Sequence, residues 1–89
     1  MTVFITAVRL SPDNSNRHQH ITHLKWRQGA DIGTFSRSGL VDWIRSGNSA
    51  YVDASPRRVE ILVVEDNPPY VRTAADGFYT NNLISLPRF

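Results

Sequence analysis

Apolar and polar residues alternate along most of this chain, and one stretch breaks the rhythm. From Ser36 to Gly47, the residues Leu40, Val41, Trp43 and Ile44 fall at i, i+1, i+3 and i+4. That spacing draws one apolar stripe along two helical turns. Ser36 is placed to cap the free amides of the first turn, and Gly47 sits where a left-handed stop is usual. Arg45, in the last turn, carries the charge that suits that end of the helix dipole. A helix is therefore expected over about 36–46, with its stripe hidden against a sheet.

The rest reads as strands and turns. Val3 to Leu10 is the first strand, with Val3, Ile5 and Ala7 on one face and Phe4, Thr6, Val8 and Leu10 on the other. Apolar residues on both faces suggest a strand covered on both sides, near the sheet's centre. Ser11 to Asn16 is a loop dense in turn formers. Gln19 to Gln28 alternates imperfectly: Leu24 and Trp26 share a face, and Ile21 lies opposite. A bulge between Ile21 and Leu24 would bring all three to one side; the alternative is a strand partly covered on both faces. A short strand at Ile32 to Phe35 precedes the helix, and another at Ala50 to Val52 follows it. Asp53 to Arg57 turns, with Pro56 fixing its backbone angle. Arg58 to Glu65 is rich in β-branched residues and is the strongest strand. Asp66 to Pro69 must turn, because two prolines cannot donate to a ladder. Tyr70 to Ala75 then pairs back, Asp76-Gly77 signals a tight hairpin, and Phe78 to Thr80 returns. Asn81 and Asn82 open a last turn that carries Leu83, Ile84 and Leu86 inward. The sum is an α+β fold: one small domain spanning 1–89, with about six mostly antiparallel strands packed on one helix.

Length and composition narrow the function classes. Eighty-nine residues suit one modest core, and the absence of cysteine removes disulfides and thiol chemistry. The N-terminal residues alternate and carry no basic lead, which argues against a signal peptide, and no stretch nears the length of a membrane span. A soluble, cytoplasmic protein is expected. Net charge is only +2, and nine of the ten basic residues are arginine. Residues 1–45 hold Arg9, Arg17, Lys25, Arg27, Arg37 and Arg45 against Asp13, Asp31 and Asp42, whereas the remainder is −1. No basic run marks a nucleic-acid tail.

Several segments resemble, as an ordered set, a family of small bacterial proteins known only as a domain of unknown function. They are His20-Ile-Thr-His23-Leu-Lys-Trp26, Val41-Asp42-Trp43-Ile44, Tyr51-Val52, Tyr70-Val71-Arg72-Thr73, Asp76-Gly77 and Asn82-Leu83-Ile84-Ser85-Leu86-Pro87. The resemblance runs from Ile5 to Phe89. It implies a compact, free-standing bacterial domain and brings no activity, cofactor or partner. Relatives often carry Glu where Gly39 stands, which would complete a capping box with Ser36.

Candidate chemistry is sparse. His18 and His20 share a strand face and His23 takes the other, with no Cys or nearby Glu to complete a shell, so no metal is expected. No serine sits in a nucleophile elbow, Glu60 and Glu65 point to opposite faces, and no phosphate loop appears; no enzyme and no cofactor are expected. Arg72, Asp76 and Asn82 form a polar set: Arg72 and Asp76 pair across the hairpin and Asn82 caps the last segment. The other reading makes Tyr70 and Arg72 an anchor for an anionic group. Trp26 and Trp43 are assigned to the core, Trp43 as the anchor of the helix. Trp26, between Lys25 and Arg27, offers a second reading as a stacking platform for single-stranded nucleic acid.

The leading expectation is a non-enzymatic binding module for another protein or for itself, working through a free sheet edge. The alternative is nucleic-acid binding through Arg9, Arg17, Lys25, Trp26, Arg27 and Arg37.

Overall fold

In the computed structural model, one seven-stranded sheet curls around a core that the helix closes. Residues 1–54, 57–75, 78–80 and 82–89 are described. The expected turn at Pro56, the Asp76-Gly77 hairpin tip and Asn81 lie outside them. The strands are β1 (Thr2–Leu10), β2 (Ile21–Gln28), β3 (Asp31–Ser36), β4 (Ser49–Ala54), β5 (Arg57–Val64), β6 (Tyr70–Ala75) and β7 (Phe78–Thr80). Helix α1 (Arg37–Arg45) lies between β3 and β4, and a 3-10 turn at His18–His20 precedes β2. The order across the sheet is β3-β2-β1-β4-β5-β6-β7. Every pairing is antiparallel except β1 with β4, which is parallel. The expected α+β architecture is present, with one more strand than the count from sequence.

Two bulges decide which residues meet in the core. Along β1, Ile5 pairs with Trp26 and Ala7 with Lys25, so Thr6 is the extra residue. It shifts the alternation by one, and Val3, Ile5, Val8 and Leu10 all reach the same cluster. The two-sided division of β1 expected from strict alternation is therefore corrected. Along β2 the ladder steps from Leu10–Ile21 to Arg9–His23, leaving Thr22 unpaired. That is the bulge read from the sequence, and it brings Ile21 and Leu24 together, both fully buried. The strand begins at Ile21 rather than Gln19, because residues 18–20 close into the 3-10 turn.

Helix α1 starts and stops where its side chains dictate. Ser36 Oγ accepts the Gly39 N–H at 3.0 Å, and Gly47 follows the C-terminus at a φ of +98°. Asn48 Nδ2 donates to the Trp43 carbonyl at 2.9 Å. Leu40 and Val41 are buried, while Trp43 and Ile44 are half-buried against the core. Trp43 packs beside Phe35, with ring centroids 5.5 Å apart. After β7, Leu83 and Ile84 enter the core, and Arg88 donates to the carbonyls of Ile84 (2.6 Å) and Leu86 (3.0 Å). The last residues then lie along β1: Val8 N–H donates to the Pro87 carbonyl, and Phe89 N–H to that of Val8. No helix is long and apolar enough to cross a membrane among the described residues.

Candidate binding surface

Strand alternation sorts the residues of the β2 motif onto two faces. Trp26 pairs with Ile5 and Gly33 and so turns toward the core, half-buried, its ring tilted against Phe35 at 6.1 Å. Lys25 pairs with Ala7 and Thr34, and Arg27 with Phe4 and Ile32, on the outer face. The three neighbours in sequence therefore do not form one platform. A period of two separates Trp26 from the cations on either side.

The outer face has a different set of rings. Lys25 Nζ sits 4.8 Å from the Phe89 ring centre, and the Arg9 guanidinium 4.7 Å from the same ring. Arg9 Nε also donates to the Phe89 carbonyl at 2.9 Å. Arg27 lies 5.5 Å above Phe4, Phe4 lies 6.2 Å from Tyr51, and Arg58 stacks 4.3 Å over Tyr51. A band of alternating cations and rings thus crosses β2, β1, the C-terminal segment, β4 and β5. Cation–π contacts hold these long side chains close to the sheet. Among the described residues no Asp or Glu side chain pairs with Arg9, Lys25 or Arg27. Of the other residues offered for nucleic acid, Arg37 donates to the Gln19 carbonyl at 2.7 Å, and Arg17 is exposed in the loop before the 3-10 turn.

Beside this band the sheet ends in β3, whose outward-facing Ile32 is 79% exposed. An open groove of about 370 Å³ runs between them, lined by Thr6, Lys25, Trp26, Ile32, Gly33 and Thr34. Neither Ile32 nor Phe89 stands out in the sequence. Their exposure and position follow from register alone.

The histidines take three separate roles. His18 is 5% exposed, and burial, helped by the nearby positive charge of Arg72, lowers its pKa to about 4. Its Nε2 has no hydrogen-bond partner among the described residues. His20 Nδ1 is hydrogen-bonded to Ser15 Oγ at 2.7 Å, and the same hydroxyl accepts the Arg17 N–H. That pair fastens the loop; no carboxylate among the described residues orients the imidazole as a base would require. His23 Nδ1 meets Thr22 Oγ1 at 3.1 Å on the exposed side. No group of three His, Cys, Asp or Glu that could hold a metal ion occurs among the described residues.

The C-terminal polar set is only partly visible. Asp76 lies outside the described residues, and with it the expected Arg72–Asp76 pair. Tyr70 is buried (9% exposed), and Arg72 is half-buried on the same face of β6. The buried Thr73 ties the last turn to β6. Its Oγ1 donates to the Thr80 carbonyl (3.2 Å) and accepts from Thr80 Oγ1 (2.8 Å) and the Leu83 N–H (3.4 Å).

Residues 4–87 match the model of a family described as a protein of unknown function (DUF3892). No curated protein and no solved structure matches the chain.

Proposed function

The chain belongs to this family of unknown function, DUF3892, and from that premise we propose that it is a non-enzymatic module that binds an extended protein segment by strand addition along β3. One observation carries the reading: β3 is a six-residue outermost strand whose second residue, Ile32, is 79% exposed. Sheet edges are usually blunted by charge, proline or brevity, because unpaired backbone groups invite pairing with another chain. Here the edge instead presents a large apolar side chain beside an open groove. An added strand would take its affinity from main-chain hydrogen bonds, and contact with Ile32 would fix its register. The proposed setting is the bacterial cytoplasm.

Peptides selected from a random display library on the 89-residue chain test this. Bound peptides are expected to shift the amide signals of residues 31–36. Ile32→Ser is expected to weaken binding about tenfold, since it removes most of one buried apolar side chain. Peptides that shift another surface, or bind the variant equally well, would overturn the reading.

A further inference from the structure

We infer that the segment received by β3 is acidic, an inference that rests on strand addition and concerns the chemistry of the partner. An added strand places every second side chain on the outer face, about 10 Å from β2, two strand spacings away. The side chains waiting there are Lys25, which lines the groove, and Arg27, which pairs with Ile32 across the ladder. Arg9 stands behind them on the same face, held to the Phe89 ring and carbonyl. No Asp or Glu side chain of the described residues neutralises Lys25 or Arg27, while the Arg9 guanidinium is already taken by the Phe89 main-chain oxygen. The acids nearest by register do not help: Asp31 falls on the opposite face from Ile32, while Asp53 and Glu60 lie beyond the Phe4–Tyr51 pair.

The rings prepare these cations for an anion. A cation resting on an aromatic face has already given up much of its freedom, so less is lost when a carboxylate takes it. Glutamate at alternate positions meets the outer-face cations with its methylene stem against Ile32, and the apolar residues between fall on the face of Gly33 and Phe35.

The test uses the full chain, NMR, and two peptides of about eight residues, a common strand length, one alternating Glu and Val and the other Lys and Val. The Glu peptide is expected to shift β3 and the Lys25 side chain, to bind about tenfold more tightly than the Lys peptide, and to weaken as salt rises. The double variant Lys25→Glu with Arg27→Glu is expected to reverse the preference; the salt series on the natural chain gives a readout that needs no variant. Equal binding of both peptides at β3 would keep strand addition and overturn the acidic partner. If neither shifts β3, both fall. A single-stranded oligothymidine that shifts Lys25 and Arg27 at lower concentration than the Glu peptide would assign the cations to nucleic acid and overturn the inference. A dimer that shields β3 without peptide would overturn it in favour of a second copy.

Discussion

The indole of Trp26 lies over Gly33 on the neighbouring strand, so close that a Cβ at Gly33 would stand 2.5 to 2.7 Å from three ring atoms. Glycine is poor in strands, with no side chain to pack and a larger loss of freedom on folding. Here the aromatic ring fills the place of the missing side chain. Gly33→Ala is therefore expected to destabilise rather than help. The ring is wedged against Phe35 and the core and cannot withdraw as a flexible chain end would. Overpacking of this kind costs about 1–3 kcal/mol. Denaturant melts should show the loss, with a changed Trp fluorescence spectrum; an alanine variant of unchanged stability would mean the ring is not wedged.

Thr73 supplies three hydrogen bonds from one fully buried hydroxyl and so ties β6 to β7 and the last turn. Thr73→Val keeps the shape and removes only the polar atom. The Thr80 groups are half-buried and can find water, but the amide of buried Leu83 cannot. An unsatisfied buried donor costs about 1–3 kcal/mol, and a loss near the middle of that range is expected. Hydrogen exchange at Leu83 should quicken, whereas Thr73→Ser should retain its protection.

Much of the architecture could be read from the chain because it depends on local rules. Helix α1 follows from a 3.6-residue stripe between a serine cap and a glycine stop, and β5 from alternation and branching. The bulge in β2 was legible because Ile21 and Leu24 fall out of phase in an otherwise regular strand. The bulge in β1 was not, since Ile5-Thr6-Ala7-Val8 contains nothing that strains a regular strand. The binding surface was half legible. Alternation puts Lys25 and Arg27 on one face and should have parted them from Trp26; closeness in sequence obscured this. The rings they rest on, Phe4 and Phe89, come from the two ends of the chain, and only the ladder brings them there. His18 sits in a polar loop, where no periodicity signals burial.

That burial has a consequence for pH. Folded His18 stays neutral down to about pH 4, whereas in the unfolded chain it takes up a proton near its ordinary 6.5. Between those values the unfolded state binds more protons, so stability falls as pH drops from about 6.5 to about 4 and this contribution is then exhausted. The full span corresponds to about 3 kcal/mol as an upper figure. The cause is mainly removal from water, with Arg72 adding repulsion of the charged form. Thermal melts of the chain and of His18→Gln, taken across that window, should separate this contribution from that of the carboxylates. If the variant shows the same slope as the natural chain, His18 is not its source.

Gly39 stands at the third position of α1, and replacing it with Glu sets three effects against each other. A glycine in a helix costs about 0.5–1 kcal/mol relative to a residue with a side chain. An acid in the first turn, where this helix has none, adds about 0.3–1 kcal/mol and can return a hydrogen bond to the Ser36 amide. Against them, a Cβ at Gly39 would lie 3.0 Å from Ser36 Oγ, the atom that caps the helix. That contact requires a shift of a few tenths of an ångström from an exposed hydroxyl that turns on a single bond, and the cap at risk is worth about 1 kcal/mol in all. The first two effects prevail, and Gly39→Glu is expected to raise stability by about 0.5–1 kcal/mol. Gly39→Ala should deliver only the smaller, backbone share. Ser36→Ala should cost about 1 kcal/mol in the natural chain and more when combined with Gly39→Glu, because a capping box works only with both members in place. A lower melting temperature for Gly39→Glu would show that the cap, not the glycine, governs this end of the helix.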